Sequence, residues 1–363
     1  MEATFTRAST ANKQDGSQVA ANIPRYESGH KGEAIMIEEG TVNLLTTNQA
    51  NVETDLSGLA GYFSTSIFRD TTKFWNGVAS VRADVTAALV SAEPNYAHGV
   101  FTDGSVAIDL VSANTLVVSS AYVWMPAGVA FVIGGRLYDS GGNYLTEALG
   151  DIAYVGTGAW QRVQTQPYTV AMSFRPGLQV TVGSGIIATF WVDCLQSEAK
   201  GYATSWTPDT RAFETLTIPT AGVLSAAQGT ISCWVKRAGN TGDSKIFGNY
   251  PSAAAGNIVS MTYLDGAMYA EYGNGTGPLQ LGLTVVPQNS WHHVAMAWSG
   301  SNIYVYINGL LVGQAANLVA AFGSTFGIGC FTNGANQLNG LIDDLRFYNR
   351  ALTTAEVAEV YAQ

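Results

Sequence analysis

Charge is what this chain has least of. Only 12% of its 363 residues are Asp, Glu, Lys or Arg, and its 17 Lys and Arg never gather into a basic block. With a net charge of −10 there is no phosphate-neutralising footprint, which excludes DNA and RNA as direct ligands. Cysteine is scarce too. Cys194, Cys233 and Cys330 are odd in number and form no C-x-x-C pair, so neither a disulfide framework nor a zinc site is indicated. Each falls in an apparent strand, where a buried free thiol is expected. Histidine is limited to His30, His98, His292 and His293, and no Gly-x-Ser-x-Gly elbow occurs, which leaves a Ser-His-Asp triad without support. Nor does any strand carry facing carboxylates for glycoside hydrolysis. Glu38-Glu39 lies in the polar N-terminal stretch, and Asp343-Asp344 divides across two strand faces. The chain is therefore expected not to be an enzyme. No apolar run is long enough to span a bilayer, so membrane insertion is not expected, and residues 1–7 lack the basic and apolar segments of a signal peptide.

What the chain has in quantity is glycine, 40 residues of it, within a composition that is 47% hydrophobic. That balance favours many short strands and turns, an all-β reading, and the length suggests two or three domains. Residues 1–42 are polar and cannot form a core alone, which points to an extended N-terminal arm packed along the next domain or a neighbouring subunit. From Asn43 to Pro208, strand candidates recur at Val78–Val85, Val106–Asp109, Thr115–Met125, Ala130–Tyr138, Gln161–Thr165, Tyr168–Phe174 and Ile186–Leu195, divided by Gly, Asn, Asp and Ser turns. Pro208 marks a boundary, and a new alternating strand begins at Phe213. Farther on, Asn308-Gly309 is the strongest hairpin signal in the chain.

The last stretch orders the rest. Asn339-Gly340 is a turn, and Leu341 to Tyr348 alternates with Leu341, Asp343, Leu345 and Phe347 on one face. Thr353 then caps a short helix, with Glu356 closing a capping box and Leu352 and Val357 placed as a hydrophobic staple. Asp343 thus sits among apolar neighbours, where an ionised carboxylate must bind a metal or anchor backbone N–H groups. A calcium ion held by Asp343 and an N–H anchor are both open at this level.

Gly340-Leu-Ile-Asp-Asp-Leu-Arg-Phe-Tyr-Asn-Arg-Ala-Leu-Thr, with Trp291-His-His-Val-Ala and the hairpin Asn302 to Val312, resembles the laminin-G-like, concanavalin-A-like jelly rolls over roughly Phe213 to Gln363. Ala159-Trp-Gln-Arg-Val and the run from Phe190 to Pro208 resemble carbohydrate-binding-module β-sandwiches of the kind found in tailed-bacteriophage structural proteins. The wording of Phe5-Thr-Arg-Ala-Ser-Thr, Ile23-Pro-Arg-Tyr-Glu and residues 35–45 resembles the N-terminal segments of the same phage proteins.

These resemblances imply two tandem antiparallel β-sandwich (jelly-roll) domains, residues 43–208 and 213–363, preceded by the arm of residues 1–42. They imply a structural Ca2+ near Asp343 and a non-enzymatic virion surface protein, a capsid decoration or tail-fibre component. Other virion proteins, a self-assembled trimer and host-surface glycans are the expected partners. The alternative is a secreted bacterial carbohydrate-binding protein or an accessory module of a glycosidase. Sugar binding on such sandwiches uses aromatic faces, and Trp75, Trp124, Tyr144, Trp234, Tyr269 and Tyr272, each beside polar or turn residues, are the candidate glycan platforms.

Overall fold

A computed structural model describes residues 3–86, 98–104, 110–183, 185–238, 242–249, 259–273, 279–300, 302–316 and 322–363. The strand expected over Val106–Asp109 lies outside the described residues. The chain forms two compact units, one of residues 14–18 and 41–211, the other of residues 1–13, 19–40 and 212–363. Both are antiparallel β-sandwiches, as the composition indicated.

The unit of residues 41–211 pairs two five-stranded sheets. One runs Tyr144–Val155, Ala130–Tyr138, Arg175–Val182, His98–Thr102, Leu59–Tyr62, and the other Trp160–Gln164, Val118–Trp124, Ala188–Glu198, Ser80–Val85, Thr65–Asp70. Between them lies a core that includes Val81, Ala83, Val123, Phe131, Ile133, Val180, Phe190 and Val192. Two expectations change here. Tyr168–Phe174 contributes only isolated bridges, at Tyr168 and Phe174, and the chain enters the sheet instead over Arg175–Val182. Pro176-Gly177 reads as a breaker, yet proline is tolerated near the start of a strand. The strand Tyr144–Val155 is also new. Its ladder with Ala130–Tyr138 shifts register repeatedly, which scrambles the period-two pattern that a sequence reading depends on.

The other unit pairs two seven-stranded sheets around Ile231, Cys233, Phe247, Met261, Met268, Met296, Trp298 and Val305, among others. Here the N-terminal segment is not a separate arm. Thr4–Thr6 extends one sheet beside Thr215–Pro219, while Glu33–Ile37 pairs with Gly340–Tyr348 and Arg25–Ser28 lies beyond it. Without these strands, Thr215–Pro219 and Gly340–Tyr348 would be sheet edges with a row of unpaired N–H and C=O groups. Buried charges tie the segment down. Arg25 grips Glu214 through Nε and Nη2 at 2.9 and 2.7 Å and reaches Glu38 at 2.8 Å, while Arg7 Nη1 donates to Glu214 at 2.7 Å.

Local signals near the C-terminus are met in detail. Asn308 and Gly309 both take positive φ, 50° and 77°, as a type I′ hairpin turn requires. Thr353 accepts from the Glu356 N–H, and the Glu356 carboxylate accepts the Thr353 N–H at 2.8 Å, which starts the helix Thr354–Ala362. Leu352 and Val357 pack under it against Ala295, Ala297 and Tyr306. All three cysteines are buried and free, although Cys330 lies just past a strand.

Candidate functional site: an indole row on an outer sheet face

In the five-stranded sheet from Trp160–Gln164 to Thr65–Asp70, inward positions such as Val163, Ala121, Val123, Phe190, Val192, Val81 and Ala83 fill the core. Period-two alternation turns their neighbours outward. The register then sets Trp160 opposite Trp124, Trp124 opposite Trp191, Trp191 opposite Arg82 and Arg82 opposite Phe68. One row across five strands therefore carries three indoles, a guanidinium and a phenyl ring. The indoles are half-buried and Phe68 is exposed.

Trp124 and Trp191 meet edge to face, centroids 5.1 Å apart, and the Lys73 ammonium sits in the corner, 3.3 and 3.6 Å from the two centroids. Trp191 Nε1 donates to Asp70 at 2.9 Å. Burial works to raise the Asp70 carboxyl, but the donors Thr72 and Trp191 outweigh it and hold it down at about 2. Beside the row, Arg82 Nη2 binds Asp84 at 2.5 Å, and Thr189 Oγ1 donates to the same carboxylate at 2.9 Å.

The loop that carries Lys73 is fixed from beneath. Ser80 Oγ donates to the Lys73 carbonyl at 2.6 Å, and the Trp75 and Asn76 N–H groups donate to Asp193 Oδ2 at 2.7 and 3.1 Å. Asp193 Oδ1 accepts the N–H of Cys194, whose φ of 52° marks a bulge. Burial pushes the Asp193 carboxyl up to about 7 against those donors.

The candidate platforms divide. Trp124 stands in the row. Trp75 lies beside it, stacked flat on Tyr122 with centroids 4.5 Å apart. Tyr144 is 49% exposed but belongs to the opposite sheet of the same unit, where its ring faces the Arg136 guanidinium at 4.5 Å. Trp234, Tyr269 and Tyr272 belong to the other unit and are only 6%, 2% and 5% exposed, so their rings offer no platform. His30 and Tyr361 cover Trp234 at 3.7 and 5.5 Å, and Tyr272 faces the core. The Tyr269 hydroxyl points at Glu271, which Lys245 ties to Asp243. Trp160 and Trp191 escaped the sequence reading. Strand parity holds the signal, since Trp191 falls between the inward Phe190 and Val192, and Trp160 is odd-spaced from the inward Val163.

Asp343 shows the same device as Asp193. Its Oδ1 accepts the Asp344 N–H at 2.7 Å, Oδ2 accepts the Lys31 N–H at 2.6 Å, and Asp344 takes a φ of 48°. The resulting bulge breaks the expected parity part-way along the strand. Ile342, Leu345 and Phe347 turn to the core, and Leu341 joins Ala34 and Met36 on the other face. Both carboxylate oxygens hold backbone hydrogens, and no group of three acidic, histidine or cysteine side chains able to hold a metal occurs among the described residues. This donor set does not fit calcium. Asp343→Ala is expected to lower stability by about 1–3 kcal/mol, and a chelator to leave the melting midpoint of the wild type unmoved; a midpoint that falls on chelation would restore the metal.

His293 is buried with neither ring nitrogen bonded among the described residues. Burial lowers its pKa to about 4, with Asp344 opposing. The folded state therefore resists a proton that the unfolded chain takes up near 6.5. Stability should fall as pH drops from about 6.5 towards 4, by up to ~3 kcal/mol. His293→Gln should flatten that limb in acid unfolding curves.

Residues 208–358 match the family described as the concanavalin A-like lectin/glucanases superfamily. The match covers less than half of the chain and concerns its C-terminal sandwich alone, which is similar to that family's domains. No curated protein matches the chain. Among solved structures, domain 4 of an extracellular GH43 arabinanase from Geobacillus stearothermophilus, in complex with arabinotriose, is similar at 24% identity and a TM-score of 0.36, over 45% of this chain and 81% of that one. A heptameric SAP-like pentraxin from Limulus polyphemus is similar at 25% identity and a TM-score of 0.31, over 40% and 72%. The receptor-binding domain of a botulinum neurotoxin C/D mosaic serotype is similar at 14% identity and a TM-score of 0.34, over 41% and 40%.

Proposed function

We propose that this chain is a non-enzymatic carbohydrate-binding protein whose platform is the row Trp160, Trp124 and Trp191. The observation that carries the reading is the register, which sets three indoles side by side on the outer face of a rigid sheet. The flat C–H face of a pyranose stacks on such rings, and the adjacent Arg82, Asp84 and Thr189 supply donors and acceptors for its hydroxyls. Affinities in the millimolar to micromolar range, about 4–8 kcal/mol, suit a molecule displayed in many copies.

Such display is the role of a tailed-phage capsid decoration or tail-fibre component that touches host-surface glycans, and the phage-like wording of residues 5–45 and 190–208 supports that setting. A homotrimer and contacts with other virion proteins belong to the same proposal. The lectin/glucanase match of residues 208–358 favours a second setting, a secreted bacterial carbohydrate-binding protein or a glycosidase accessory module. Mass spectrometry of purified particles separates the two. On a glycan array, Trp124→Ala and Trp160→Ala are expected to abolish binding, with melting midpoints close to wild type. Retained binding by both variants would remove the platform reading.

A further inference from the structure

We infer that the indole row is selective for acidic glycans, with Lys73 as the residue that reads the ligand's carboxylate; the inference rests on the platform reading above. The Lys73 ammonium occupies the corner between the faces of Trp124 and Trp191 and has no hydrogen-bond acceptor among the described residues. The acidic groups on this face are already engaged. Asp70 accepts from Trp191 Nε1 and from Thr72, and Asp84 is held by Arg82 and Thr189. The other cations nearby have partners as well, Arg82 on Asp84 and Arg162 on Ser120 and the Thr204 carbonyl. Lys73 is thus a positive charge held by two ring faces and by the charge of nearby Asp70, with no hydrogen bond from its ammonium among the described residues and its backbone carbonyl anchored by Ser80.

The consequence for a ligand is asymmetric. A neutral pyranose must lift the ammonium off both indoles before it can stack, and it offers no charge in return. A uronate-type sugar offers a carboxylate at the rim of its ring and the same flat C–H face. Its carboxylate draws the ammonium out as a charge-assisted hydrogen bond and frees the indole for the sugar. Lys73 therefore works as a plug that an anionic ligand removes more easily than a neutral one. The lowered pKa of Lys73, caused by burial and opposed by Asp70, is in keeping with an ammonium short of solvent.

The test compares a uronic-acid oligosaccharide with the same oligosaccharide after reduction of its carboxyls to alcohols, by calorimetry on the full chain. The wild type is expected to prefer the acidic form by about tenfold, a preference that shrinks as salt is added. Lys73→Met should bind the reduced form at least as well as the wild type and lose the preference, whereas Lys73→Arg should keep it. Equal binding of the two sugars by the wild type, or a preference that survives in Lys73→Met, overturns the assignment while leaving the platform standing. Unchanged binding in Trp124→Ala, or no binding of either sugar, removes the platform itself and the inference with it.

Discussion

Glu214→Ala is expected to destabilise the C-terminal sandwich by about 3–5 kcal/mol, enough to unfold it at moderate temperature. The side chains of Glu214, Arg7 and Arg25 are fully buried, and that of Glu38 nearly so. Two carboxylates and two guanidiniums balance in charge. Glu214 is the hub, since it accepts from both arginines and, through Oε2, from the Glu38 N–H at 2.9 Å. Neighbouring carboxylates raise the Arg25 pKa further against the burial that opposes it. Removing the hub takes the carboxylate from Arg7, which keeps the carbonyls of Ser9, Val19 and Ala20, and leaves Arg25 with Glu38 as its carboxylate partner beside the Asn12 carbonyl, so two buried positive charges then face one negative. The loss should show as a lowered midpoint in denaturant, followed by tryptophan fluorescence. If stranded charge is the cause, the same substitution in an Arg7→Met, Arg25→Met background should do less harm; equal harm in both backgrounds would instead identify lost packing. Deletion of residues 1–40 should resemble Glu214→Ala in kind and exceed it, because it also removes three strands from the sandwich.

Trp234→Ala should cost about 3–5 kcal/mol of stability and leave glycan binding intact. The ring is sandwiched between His30 and Tyr361, has His293 at 5.6 Å, and lies under the Lys31 ammonium at 5.2 Å. Its Nε1 has no acceptor among the described residues. Trp234→Phe should therefore be far milder, since it removes volume but no hydrogen bond. Melting curves run beside the glycan array separate the outcomes. A stable Trp234→Ala protein that no longer binds sugar would move the platform to this unit.

Much of the fold is written in local chemistry. The capping box Thr353–Glu356 and the Asn308-Gly309 turn each depend on residues within a few positions of one another, so sequence by itself determined them. The carboxylates of Asp193 and Asp343 sit at the limit of this legibility. An acid in an apolar strand demands partners, but which N–H groups answer depends on Trp75, Asn76 and Lys31, far away in the chain.

Tertiary structure decided the rest, because register and coverage are long-range quantities. Nothing local tells that residues 4–6 and 25–37 complete a sandwich whose other strands begin some two hundred residues later, or that Arg7 and Arg25 converge on Glu214. A bulge of one residue at Asp344 puts Leu341 on the face opposite Leu345 and Phe347, and parity counted along the sequence cannot see it. Trp124, Trp160 and Trp191 are scattered in sequence and become one row only when three strands pair in a single register. Trp234 looks equally free by its parity and is closed off by His30 and Tyr361, contributed from opposite ends of the chain. Whether an outward aromatic meets solvent or another ring is settled by what the fold lays over it.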